Sequence, residues 1–443
     1  MEGSLVTTGQ HLILHRTSRR EMKEGKIPVI VKGEGVYVWD QAGRKYLDFV
    51  SAVTRVSHLG YGRKEIAQAM YDQACQLSYY SPFQFATQPA MEMADVLAEV
   101  APGQISQFFF VCDGSESVEA ALKLAKHYHY FRGDKQRHKV ISRRGAYHGT
   151  TGGALRALGV VLPMRHIMEP VGPGTVWAES PYCYRCPLHL SYPACDLACA
   201  RDVARIIEFE GPEQVSVFIG EPIQQGFGVL PAPPGYWKTI REICDRYGIL
   251  IIHDEIISAF GRTGKWFASE HFGVWPDLVT MAKGLASGYA ALGAVGCTEK
   301  VIEPVDTFHH IHTYGNHPVA CAAALASMRI MKNEHLVQHA ERMGVYLKQG
   351  LESLSGHRVF GEARVVGVWG AIDCTTDRQT RAPFPAERLA SLVRRAQDKG
   401  LIIKSMGQAL EFAPPLIIEK EHIDRAVRIL DECLTEEEKD MNL

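Results

Sequence analysis

Gly248-Ile-Leu-Ile-Ile-His-Asp254-Glu255 and Asp277-Leu-Val-Thr-Met-Ala-Lys283-Gly284 are short apolar runs that each end in a charge. Such a run, rich in branched side chains, reads as an interior parallel strand carrying one polar group to its carboxyl edge. In open α/β sheets that edge is where ligands bind.

Working outward, further runs follow the same plan. Gln107-Phe-Phe-Phe-Val-Cys112, Lys139-Val-Ile-Ser142, Val215-Ser-Val-Phe-Ile-Gly220 and Leu292-Gly-Ala-Val-Gly-Cys297 alternate with helical patterns between about 65 and 330. Alternation of this kind predicts an α/β fold with a mostly parallel central sheet flanked by helices. Val36–Asp40 and Lys45–Phe49 flank Gln41-Ala-Gly-Arg44 and read as a hairpin. The expected organisation is an N-terminal segment over 1–62, a large domain over 63–328 and a smaller α+β domain over 329–443.

Bulk properties narrow the function. The chain has 443 residues, 46% hydrophobic and 22% charged, with a net charge of -2. That supports a large core and gives nucleic-acid binding no electrostatic footing. No apolar stretch reaches the roughly eighteen residues of a membrane span. The start, Met1-Glu2-Gly3-Ser4, lacks the basic-then-apolar pattern of a secretory signal. Eleven cysteines, an odd number, fit reduced thiols, so a cytoplasmic location is expected. Four of them, Cys183, Cys186, Cys195 and Cys199, crowd one loop-like segment. Their spacing resembles a small zinc site, but clustered thiols or facultative disulfides account for it without a metal, and no metal is expected in the catalytic site.

Several strand ends carry polar groups. Strand 107–112 runs into Asp113-Gly114-Ser115-Glu116-Ser117 and an apolar-faced helix. Glycine lets the backbone approach an anion, the free first-turn amides face it, and Ser115 adds a hydroxyl. The same residues also read as a plain capped helix, with Asp113 and Glu116 as a capping-box variant. Tyr147 follows strand 139–142 and can stack on a flat ring. Glu221 ends strand 215–220 as Asp254 ends its own. An acid and an amine on one edge suit pyridoxal phosphate: Lys283 can form a Schiff base with its aldehyde, and Asp254 can keep its ring nitrogen protonated. No Gly-x-Gly-x-x-Gly opens a helix after the first strand, which sets aside a nicotinamide dehydrogenase.

Taken in order, Asp113-Gly-Ser-Glu-Ser-Val-Glu-Ala-Ala-Leu-Lys123, Tyr147-His-Gly-Thr150, Glu221-Pro-Ile-Gln224, Asp254-Glu-Ile-Ile-Ser-Ala-Phe-Gly-Arg-Thr-Gly264, Ala282-Lys-Gly284 and Thr313-Tyr-Gly-Asn-His-Pro318 resemble the class III, or ω-, aminotransferases over nearly the whole chain. The resemblance implies fold type I, pyridoxal 5'-phosphate, and an obligate homodimer, possibly a tetramer, with sites at the interface. It implies Lys283 as the Schiff-base lysine and Asp254 as the ring-nitrogen partner. Gly114 and Ser115 would hold the phosphate, with Tyr147 on one ring face and Ile256 on the other. Glu221 would lie near Asp254, and Thr313 would reach the neighbouring subunit's phosphate.

Three departures stand out. Asp-Glu-Ile replaces an acid-Glu-Val motif, Ala259 replaces a usual glycine, and Glu411 stands where many members carry a carboxylate-binding arginine. Glu411 therefore either attracts a second cation on the substrate or faces solvent. Arg55, or else Arg262, is a candidate for carboxylate recognition; Arg55 also reads as a surface residue on a turn. The expected reaction is transfer of an amino group from an amine or ω-amino compound to an oxo acid such as pyruvate or 2-oxoglutarate. Decarboxylation-dependent transamination, an aminomutase and a non-catalytic dimeric binding protein are the alternatives. No nucleic-acid or membrane partner is expected.

Overall fold

Leu250–Asp254 is buried at all five positions. In the computed structural model, which describes residues 11–160 and 167–442, it is the central strand of a seven-stranded sheet. From one edge the order is Ile105–Val111, Gly293–Thr298, Leu278–Met281, Leu250–Asp254, Val215–Gly220, Lys139–Arg143 and Thr175–Ala178. Gly293–Thr298 alone runs against its neighbours. The other neighbouring pairs are parallel.

Burial on both faces explains the unbroken apolar runs. Leu250 and Ile252 pack with Val118, Ala121, Leu124 and Ala125 of the helix Gly114–Phe131. Ile249 and Ile251 pack the other way, with Val203 and Ile207 of Ala198–Glu210 and Ile240 of Tyr236–Tyr247. The central strand begins two residues later than its apolar run, because Gly248 caps the preceding helix at φ 65°. Such a left-handed backbone favours glycine. The edge strand Thr175–Ala178 is short and half exposed, and no apolar run announced it.

The expected hairpin is present as Tyr37–Asp40 and Lys45–Asp48. It is joined on one side by Ile30–Glu34 and on the other by Leu401–Ile402, so the two ends of the chain share one sheet. A further sheet near the C-terminus contains Phe360–Val366, Trp369–Asp377, Ala409–Phe412 and Lys404–Met406. The last two form a hairpin in which Lys404 lies opposite Glu411. Among the described residues, no helix is long and apolar enough to cross a membrane.

Candidate active site

The sheet register brings the two charged strand ends together. Asp254 is level with Thr280 on the adjacent strand, three residues before Lys283. Asp254 is only 4% exposed. Its Oδ1 accepts from the Ile256 amide at 3.1 Å, and its Oδ2 lies 2.7 Å from His148 Nδ1. A carboxylate there fixes the proton on Nδ1, which leaves His148 Nε2 buried and, among the described residues, without a partner. The sequence reading quoted His148 in a motif but gave it no role. Its place beside Tyr147 on a strand-to-loop turn was the available signal.

Lys283 is half-buried, with φ 47°. Left-handed backbone at a non-glycine residue costs of order 1–3 kcal/mol and clusters at functional sites. Among the described residues its Nζ has no hydrogen-bond or ion-pair partner. Burial pushes the amine down to about 7, with Arg55 and Lys404 acting in the same direction and Asp254 and Glu411 opposing. A large share of the neutral, nucleophilic form is thus present near neutral pH.

Glu221 and Tyr147 lie on the next two strand ends. Glu221 Oε1 accepts from the Tyr147 amide at 3.1 Å, and Oε2 is 3.5 Å from Arg143 Nη2. Burial pushes the Glu221 carboxyl up and Asp254 adds to the effect, while His148 and Arg143 oppose it. The Tyr147 ring stays partly exposed, as a stacking surface needs to be.

Asp113 caps the helix Gly114–Phe131 by accepting from the Glu116 amide at 2.9 Å, and Glu116 reaches back to the Cys112 amide at 2.8 Å. The capping reading holds, and it leaves the amides of Gly114 and Ser115 available, as an anion cradle would require. Ile256 packs on this turn so closely that a Cβ at Gly114 would sit 2.9 Å from its Cδ1. Ser115 Oγ accepts from the Thr150 amide at 3.4 Å. Gly114 thus touches Ile256, whose amide bonds Asp254, Tyr147 bonds Glu221, and Lys283 follows the strand next to that of Asp254. A planar ring with a phosphate fits this set: amides and a hydroxyl for the anion, an apolar wall, an aromatic face, a buried acid and an unpaired amine.

Thr313 is exposed, and its carbonyl accepts from Tyr79 at 2.6 Å. The neighbouring His312 lies 3.5 Å from Glu116. No hydrogen bond joins Thr313 to the other site residues among those described.

Arg55 and Glu411 meet each other. Arg55 Nε donates to Glu411 Oε1 at 2.9 Å, and Nη2 contacts Oε2. Trp369 Nε1 donates to the same Oε1 at 2.8 Å. With its amide turned so that oxygen faces Arg55, Gln225 accepts from Nη1 at 2.9 Å. Arg55 is 4% exposed and Glu411 0%. This corrects two alternatives: Glu411 does not face solvent, and Arg55 is not a surface residue. The local cause is a tight turn, Ser51–Arg55, with φ 58° at Ala52, 61° at Val53 and 61° at Arg55. Arg262 is fully buried, and donates to the carbonyls of Pro414 and Val368 and to Ser51 Oγ.

The four clustered cysteines line one cavity, and all eleven are free thiols. Among the described residues, no group of three or more His, Cys, Asp or Glu side chains is arranged to hold a metal ion.

A mostly parallel sheet that brings a lysine, a buried acid and a capped helix start to one edge matches the fold of the type I pyridoxal phosphate enzymes. The family model described as Aminotransferase class-III matches residues 20–434, and the chain belongs to that family. A probable aminotransferase of Mycobacterium tuberculosis is 40% identical, over 92% of this chain and 90% of that protein. The putrescine–pyruvate aminotransferase of Pseudomonas aeruginosa is 36% identical, over 94% and 92%. Among solved structures, the ω-transaminase of Pseudomonas jessenii in complex with PMP superposes with a TM-score of 0.94 at 32% identity, covering 99% of each chain. The protein is an aminotransferase that uses pyridoxal 5'-phosphate.

Proposed function

We propose that the chain moves an amino group from an amine or ω-amino compound to an oxo acid such as pyruvate or 2-oxoglutarate. The observation that carries this reading is the unpartnered Lys283 amine, held near neutrality beside the buried Asp254. The names of two relatives, a putrescine–pyruvate and a taurine–pyruvate aminotransferase, favour an ω-amine donor and pyruvate.

Pyridoxal phosphate, when bound, supplies an aldehyde and an electron-withdrawing ring. In this reading Lys283 would hold the cofactor through its aldehyde and would move the proton at the substrate carbon. Asp254 would keep a proton on the ring nitrogen, with His148 holding its carboxylate in place. Gly114 and Ser115 would hold the phosphate, Tyr147 and Ile256 would cover the ring faces, and Glu221 would sit near Asp254.

A homodimer belongs to the same proposal, with Thr313 reaching the partner's phosphate. Tyr80, Phe83, Phe85, Ile311 and Tyr314 are large exposed apolar residues, and Tyr79 ties the 77–85 stretch to Thr313, which suits a second copy.

The test is a screen of amine donors against pyruvate and 2-oxoglutarate, followed by borohydride reduction and peptide mapping. Labelling at Lys283 and loss of turnover in Lys283→Ala are expected. Labelling at another lysine would refute the assignment.

A further inference from the structure

An oxo-acid acceptor carries a carboxylate, and a carboxylate entering a site that excludes water needs a cation or several donors. The obvious arginines are committed. Arg55 is held by Glu411 and Gln225, and the Arg262 guanidinium is fully buried with both terminal nitrogens bonded.

Lys404 is placed differently. It starts the hairpin Lys404–Met406 and Ala409–Phe412, directly across from Glu411, beside the Arg55 ion pair. The hairpin turn closes over the loop that carries Gln225: a Cβ at Gly407 would sit 3.0 Å from the Gly226 carbonyl. Phe227 of that loop lies against Gly145, two residues before Tyr147. Lys404 is half-buried, and among the described residues its amine has no hydrogen-bond or ion-pair partner. Glu411, its cross-strand neighbour, has its carboxylate filled by Arg55 and Trp369.

We propose that Lys404 is the residue that receives the carboxylate of the oxo-acid acceptor. The inference rests on the transamination reading and adds the group that selects its acid partner. Electrostatics agree with the placement. Burial pushes the Lys404 amine down to about 8, with Arg55 and Arg16 acting the same way and Glu411 opposing, so it is mostly protonated at neutral pH. It also acts on Lys283, which puts it within electrostatic reach of the reacting amine. Arg16 is a second cation near the rim, but it is exposed and screened by water.

The experiment compares holoenzymes carrying Lys404→Met, Lys404→Gln, Lys404→Arg or Arg16→Ala, with pyruvate and with uncharged propanal as acceptors for one amine donor. Loss of a charge-assisted contact is expected to raise KM for pyruvate by about ten- to a hundred-fold in the Met and Gln variants, with kcat within a few-fold. Propanal is expected to react unchanged, and Lys404→Arg to recover most of the pyruvate affinity. Calorimetric binding of propionate, an unreactive carboxylate, is expected to weaken in parallel and does not depend on turnover. Equal effects on both acceptors, no effect on either, a loss carried by Arg16→Ala, or unaltered or absent propionate binding would each overturn the proposal. Failure of the wild type to aminate either acceptor from any donor would instead sink the transamination reading, and the propionate result would still judge Lys404.

Discussion

Lys283 and Asp254 illustrate how a strand end sets chemistry. An ordinary lysine amine titrates near 10.4, whereas Lys283 is pushed down to about 7. Reaction of the cofactor-free protein with trinitrobenzenesulfonate should therefore label Lys283 fastest among its lysines, half-maximally near pH 7. A half-maximum near 10 would show that burial does not act on this amine. In the proposed reaction Asp254 takes the complementary role, and its carboxylate is pinned by His148 and the Ile256 amide. Asp254→Asn should retain the fold and the cofactor yet lose turnover by a factor on the order of hundreds, since an amide lacks the charge that stabilises a protonated ring nitrogen. Near-normal turnover would remove Asp254 from that role. These two positions, with Glu221, were legible because each ends an apolar strand. His148 lacks that signature: it stands in a loop, and only the fold brings it to Asp254.

At the scale of elements, the Arg55–Glu411 pair joins the turn Ser51–Arg55 to the strand Ala409–Phe412, 356 residues apart in the chain. Both groups are nearly inaccessible to water, so each depends on the other. Removing one partner of a buried pair typically costs about 3–5 kcal/mol, because the remaining charge is uncompensated. Arg55→Leu and Glu411→Leu alone should each lower the urea midpoint by that order, and the double variant should regain most of the loss. Additive losses would show that the pair is not coupled. The sequence marked Glu411 as a departure from the resemblance and Arg55 as a candidate for carboxylate recognition, yet it gave no sign that one answers the other. Long-range charge pairing leaves no local pattern of spacing or periodicity.

For the whole molecule, the buried histidines predict an acid limit on stability. His253 is fully buried against Trp237 and Ser269 Oγ, and burial pushes it down to about 3. His129 is buried in the same way and pushed down to about 4. Their values lie below the 6.5 of an unfolded histidine, so the unfolded chain binds more protons between those limits. The histidines' contribution to stability should be level above about pH 6.5 and fall as pH drops toward 4, by up to about 1.4 kcal/mol per pH unit for each histidine. Urea midpoints measured across pH 4–8 check this, and His253→Gln should flatten the slope. A profile flat through this window would show that neither histidine stays neutral in the fold. The proposed shared site makes a separate prediction for the assembly. Lys283→Ala subunits mixed with subunits defective at Thr313 should regain about one working site per mixed dimer by two-fold symmetry. No recovery in a verified heterodimer would count against a shared site.

The sequence by itself determined the sheet, the family and the strand-end residues. Burial on both faces forces continuous apolar runs, and the one charge that ends each run marks the ligand edge. The edge strand Thr175–Ala178 and the pairing of Leu401–Ile402 with Lys45–Asp48 escaped it, since neither carries a run long enough to signal a strand. Only the tertiary structure decided which charges meet. Arg55 and Glu411 neutralise each other across most of the chain length, and Lys404, an ordinary-looking lysine in the sequence, is left beside them without a partner among the described residues. Charge pairing is fixed by distance in space, and a linear sequence does not encode that distance.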